Sequence, residues 1–141
     1  MKTTNILKTA LVAFVLLLVL LPGSSKAQVT INPPYTITNN LSCPVKVMWS
    51  LDDSTGNPCN NSGSTALLIP AGGSIMMNPP DFAPCGGTAS DVKVLLVSVN
   101  GNAVGVQASS TNTSPSIGTV SGCTSGSSTM NWTTSMCTIN P

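Results

Sequence analysis

The chain has 141 residues, of which 6% are charged, and it contains no histidine, arginine or glutamate. Beyond residue 27 the charged side chains are two lysines (Lys46, Lys93) and four aspartates (Asp52, Asp53, Asp81, Asp91), a net charge of −2. Nucleic acids and anionic membranes need clustered Lys and Arg, and histidine is the usual general base and metal ligand near neutral pH. The composition therefore predicts a non-enzyme with no cofactor, no metal and no nucleic-acid partner.

Residues 1–27 read as a secretory signal peptide. Lys2 and Lys8 supply the positive start, and Ala10 to Leu21 is an unbroken apolar run. A spanning helix needs about 20 apolar residues, and this run has twelve before Pro22-Gly23 ends it. Ser25-Lys26-Ala27 places small residues where a signal peptidase reads, so cleavage is expected before Gln28. Residues 28–141 then form one secreted domain, long enough for its own core. The location is extracellular, or periplasmic or cell-surface in a bacterium, with no membrane contact once the leader is removed.

No helical period appears after the leader; short β runs alternate with turn signals, as in an all-β sandwich. Val29-Thr30-Ile31 is a first run closed by Pro33-Pro34, and Tyr35 to Thr38 alternates before a turn at Asn39-Asn40. Pro44 introduces the clearest strand. Val45, Val47, Trp49 and Leu51 share one face, with Lys46, Met48 and Ser50 on the other. Asp52 to Ser64 reads as a loop, and Asp52-Asp53 as an Asx-turn rather than a calcium site, since the order of acceptors fits no EF-hand. Thr65–Ile69 and Ser74–Met77 are predicted strands joined through Pro70-Ala71-Gly72-Gly73 as a tight hairpin. A loop from Asp81 to Ser90 follows.

Asp91–Val99 and Asn102–Ala108 flank Asn100-Gly101, the preferred pair for a type I′ hairpin. Regular pairing would set Val97 against Val104 and Leu95 against Val106, with Val94 and Leu96 on the opposite face. Ser109 to Thr129 is hydroxyl-rich, with a short strand near Gly118–Val120. Met130–Ile139 reads as one last strand. Seven or eight strands fit a small antiparallel β-sandwich of immunoglobulin-like or Greek-key type.

The five cysteines, Cys43, Cys59, Cys85, Cys123 and Cys137, all follow the leader. In an exported chain they predict two disulfides and one odd thiol, and their spacing does not choose the pairing. The stretch Asn39-Asn40-Leu41-Ser42-Cys43-Pro44-Val45-Lys46-Val47-Met48-Trp49 resembles the opening strand of thaumatin-like proteins, and Leu68-Ile69-Pro70-Ala71-Gly72-Gly73-Ser74 adds a second short piece. The charged cleft of that family has no counterpart here. The resemblance implies a bridge from Cys43 toward the chain end at Cys137, and another joining Cys59 to Cys85.

The expected function is that of a secreted, non-catalytic structural or binding module. Its low charge and uncharged edge strands favour self-assembly or contact with a cell surface. A carbohydrate-binding or adhesive module is an alternative, with Trp132 as the candidate ligand-facing aromatic and Trp49 as a core residue. Ice binding is another, through flat Thr and Ser arrays such as Thr36, Thr38, Thr133 and Thr134. A hydrolase would have to work with aspartates alone, Asp81 and Asp91 flanking the Cys85 loop. The sequons at Asn40, Asn60, Asn112 and Asn131 matter in a glycosylating host.

Overall fold

The computed structural model describes residues 29–123 and 126–141; the leader lies outside them. The described residues form an all-β sandwich of ten strands with two disulfides. The strands are β1 (Tyr35–Asn39), β2 (Val45–Asp52), β3 (Pro58–Asn61), β4 (Leu67–Ile69), β5 (Ser74–Met77), β6 (Asp91–Val99), β7 (Asn102–Ala108), β8 (Ser116–Thr119), β9 (Ser127–Trp132) and β10 (Met136–Asn140). A short helix α1 (Pro79–Phe82) and a 3₁₀ turn (Ala83–Cys85) lie between β5 and β6.

One sheet runs β5-β1-β10-β9-β8, and the other runs β3-β2-β6-β7 with β4 also on β2. The pairings are antiparallel except that β1 lies parallel to β10. β2 is the hub of the second sheet. β6 pairs along its whole length, while β4 covers Val45–Val47 and β3 covers Ser50–Asp52 on the other edge.

The alternation in β2 holds: Val45, Val47, Trp49 and Leu51 are buried. They meet the inward residues of the first sheet, among them Ile37, Cys137, Met130 and Ile139, all fully buried. Burial of this kind contributes about 1.5–3 kcal/mol for each large aliphatic side chain.

Asn100 and Gly101 take φ of 48° and 82°, the two positive values that a type I′ turn requires. Beyond the turn the regular register fails. Val99 pairs with Asn102 and Ser98 with Ala103, but Leu96 then pairs with Val106. Gly105 absorbs the extra residue at φ 73°, as a β-bulge does. β6 also carries an extra residue of its own, Val97, opposite Lys46–Val47 of β2, so its buried residues are Val92, Val94 and Leu96 before that break and Val99 after it. The regular pairs Val97–Val104 and Leu95–Val106 do not form; Leu95 pairs with Gln107.

Other elements also differ from expectation. Val29–Ile31 contributes one bridge, Ile31 to Ala89, and is not a strand. The Asp52–Ser64 segment holds β3, whose ladder bonds come from its partner β2 rather than from its own pattern. β4 and β5 do not form a hairpin: the Pro70–Gly73 turn carries the chain from one sheet to the other. The final run is two strands, reversed at Thr133–Ser135, where the Thr133 hydroxyl accepts the Ser135 and Met136 amides.

Cys59 bridges to Cys85, as the resemblance implied, but Cys43 bridges to Cys123 rather than to Cys137. Cys137 is a free, buried thiol, because its position on β10 turns it inward between Ile37 and Trp132. The bridges enclose sequence separations of 80 and 26 residues. On the chain-entropy account these give about 4.5 and about 3.5 kcal/mol respectively.

Asn39, expected in a turn, is fully buried at the end of β1. Its amide nitrogen donates to the carbonyls of Cys43 (2.9 Å), Pro70 (2.9 Å) and Ile69 (3.3 Å), and its side-chain oxygen accepts the Leu41 amide. One side chain thus ties β1, the disulfide at Cys43 and the sheet crossover together. Removing it orphans buried carbonyls, which cost about 1–3 kcal/mol. Asn39→Ala is expected to lower unfolding free energy by about 2–3 kcal/mol in urea titration, whereas the exposed Asn40→Ala changes it by less than about 0.5 kcal/mol.

Candidate functional site

Two outer faces of opposite character are available. On the second sheet, Met48, Leu95 and Gln107 form a cross-strand row. Together with Ser50, Lys93 and the Asn61–Ser64 turn they line an open groove of about 510 Å³. Its floor is apolar and its rim carries amides, hydroxyls and one ammonium. That combination suits a small amphipathic ligand.

All six charged side chains beyond the leader lie on or beside this second sheet. Lys46 and Asp52 are in β2, Asp91 and Lys93 in β6, Asp53 follows β2, and Asp81 is in α1. Lys93 pairs with Asp52 at 2.5 Å. Asp91 stands directly opposite Asp52 in the ladder, and its carboxylate accepts the Ser110 amide at 2.9 Å.

The outer face of the first sheet is neutral throughout, since none of its five strands carries a charge. Ser74, Thr38, Thr138 and Asn131 form one row across four strands, beside a row of Met76, Thr36 and Met136. The array uses Thr36 and Thr38 as expected. Thr133 and Thr134 are exposed but belong to the turn after β9, so they do not extend it.

Trp132 does not present its ring to a ligand. It is 8% exposed, and its indole N–H donates to the Val92 carbonyl at 2.7 Å. The inward phase of β9 places it against the opposite sheet. Trp49 is 9% exposed, as expected of a core residue, and Tyr35 and Phe82 are fully buried. Every aromatic side chain among the described residues is therefore buried in the core, Trp49 also bordering the groove.

Asp81 and Asp91 have separate local partners. Asp81 accepts the Asn78 amide at the start of α1 (2.7 Å), whereas Asp91 faces Asp52. Asp53 makes the expected Asx-turn, accepting the amides of Thr55 and Asn57 and the Thr55 hydroxyl. The Thr55 hydroxyl, followed by the Asn57 and Thr55 amides, holds its carboxyl below the usual range. No group of three or more potential metal ligands occurs among the described residues.

Comparison with family models, with curated proteins and with solved structures returns no match.

Tyr35 and Cys137 are fully buried titratable groups on the paired strands β1 and β10. Burial holds the Tyr35 phenol above its ordinary value, with the Cys137 and Asp91 charges adding to it, and the hydroxyl has no hydrogen-bond partner. Burial also pushes the Cys137 thiol up to about 12 from 9.0. Between those values the folded chain keeps a proton that the unfolded chain has lost, so raising the pH favours unfolding. The penalty rises by up to about 1.4 kcal/mol per pH unit. Thermal melts are expected to show stability falling above pH 9, with Cys137→Ala removing part of that slope. An identical slope in the variant would contradict the assignment.

Proposed function

We propose that the chain is a secreted, non-catalytic structural or binding module that works by surface contact and self-assembly. The supporting observation is the placement of charge. Edge strands normally carry charged side chains that block further pairing. Here β3, β4, β5, β7 and β8, the edges of the two sheets, carry none. The exposed large apolar side chains are Leu67, Leu68, Met76 and Met136. The first three sit on β4 and β5, at the crossover between the sheets, and Met136 shares a cross-strand row with Met76. Export fits this reading. Disulfides persist in oxidising compartments, and no helix among the described residues is long and apolar enough to cross a membrane. Light scattering on the mature protein is expected to show concentration-dependent association, with Leu68→Lys or Met76→Lys reducing it. A clean monomer at high concentration would refute the assembly reading.

A second reading draws on the neutral face of the first sheet. Its in-register hydroxyl and amide row, free of charge, suits an uncharged ordered surface such as ice. Thermal hysteresis and crystal shaping are expected of the purified protein, and Thr138→Tyr is expected to abolish both. Ice growth without shaping by the native protein would remove this reading.

A further inference from the structure

The rim where Lys93 meets Asp52, across the ladder from Asp91, has features that a plain ion pair does not explain. Asp52 and Lys93 lie on adjacent strands, two positions apart in the ladder and so on the same face, with Lys93 Nζ 2.5 Å from Asp52 Oδ2. The Asp52 side chain is 6% exposed and the Lys93 side chain 33%. A buried ion pair is stable when its remaining lone pairs are hydrogen-bonded. Asp52 Oδ1 is instead buried with no hydrogen-bond partner. The second carboxylate, Asp91, is 8% exposed and directly opposite. Asp91 thus stands across the ladder from Asp52 and two residues from Lys93 along β6, with one carboxylate oxygen accepting the Ser110 amide.

We propose that Lys93 and Asp52 condense into an intramolecular isopeptide bond, with Asp91 as the proton carrier. The ammonium of Lys93 passes one proton, by way of Asp91, to the Asp52 carboxylate. The freed Nζ lone pair attacks Asp52 Cγ. The new Cγ–Nζ bond forms as the Cγ–OH bond breaks, and a second N–H proton, again relayed by Asp91, leaves with the hydroxyl as water. Ammonium and carboxylate become amide and water, Asp91 returns to its starting state, and no oxidant or cofactor enters. The product has one carboxyl oxygen fewer to satisfy at a buried position. It also joins β2 to β6 covalently, across the ladder that carries the core.

Intact mass spectrometry of the reduced full-length secreted protein tests this, with both disulfides mapped beforehand to establish the fold. The native chain is expected one water lighter than its sequence, while Lys93→Arg, which retains the positive charge, and Asp52→Ala are expected at full sequence mass. A proton carrier contributes at least about 100-fold in rate, so Asp91→Asn is expected to leave most of the chains unreacted at times when the native protein is complete. Digestion with a lysine-specific protease is expected to leave residues 47–141 as one internally looped peptide, because Lys93, the one lysine beyond Lys46, is blocked. A native chain at full mass, cut normally after Lys93, would overturn the proposal and leave an ion pair only.

Discussion

The ladder between β2 and β6 is the interaction on which the rest of the molecule depends. It is the longest pairing in the second sheet, running from Val45 opposite Val99 to Asp52 opposite Asp91. One face of it delivers Val45, Val47, Trp49, Leu51, Val92, Val94, Leu96 and Val99 to the core. The other face presents Met48, Leu95 and Lys93 to the groove. β3 and β4 are too short to persist alone and exist as strands because β2 offers them an edge. The β1–β10 pairing holds the first sheet in the same way, bringing strands near opposite ends of the chain together. Much of the remaining order is supplied by cross-links over long sequence separations, through the Cys43–Cys123 bridge and the Asn39 amide.

Scarcity of charge shapes the surface as strongly as burial shapes the core. Six charges are confined to the second sheet and its connections, and the first sheet has a wholly neutral outside. Such a surface has little electrostatic repulsion and weak long-range steering. Its contacts must then come from close-range fit of hydroxyls, amides and a few exposed methionines and leucines. The edge strands carry no charged side chains, so no electrostatic guard opposes further pairing there.

Fold class was legible in the sequence because period-two alternation in β2 and the Asn100-Gly101 turn are local signals, and both are realised. The two-sheet architecture and the Cys59–Cys85 bridge were also anticipated. What was not legible depends on partners remote in the chain. The bulge at Gly105 shifts the phase of the β6–β7 hairpin, and nothing in the local pattern distinguishes a bulge glycine from a turn glycine. β3 carries no alternation and is ordered by β2. Asn39 looks like a turn residue until the crossover at Pro70 closes over it. At the candidate site, the charged residues were identified individually, but the pairing of Asp91 with Asp52 follows from register, which the sequence does not print. Trp132 was misread for the same reason: the apparent single strand from Met130 to Ile139 is a hairpin, and its first arm turns the indole inward.

Native-state hydrogen exchange tests the central claim most directly, because it ranks each ladder by the free energy needed to open it. The amides of β2 and β6 are expected to exchange last and together, at the rate of global unfolding, with those of β4 and β8 exchanging well before them. Exchange of β2 and β6 as early as these edge strands would contradict the account.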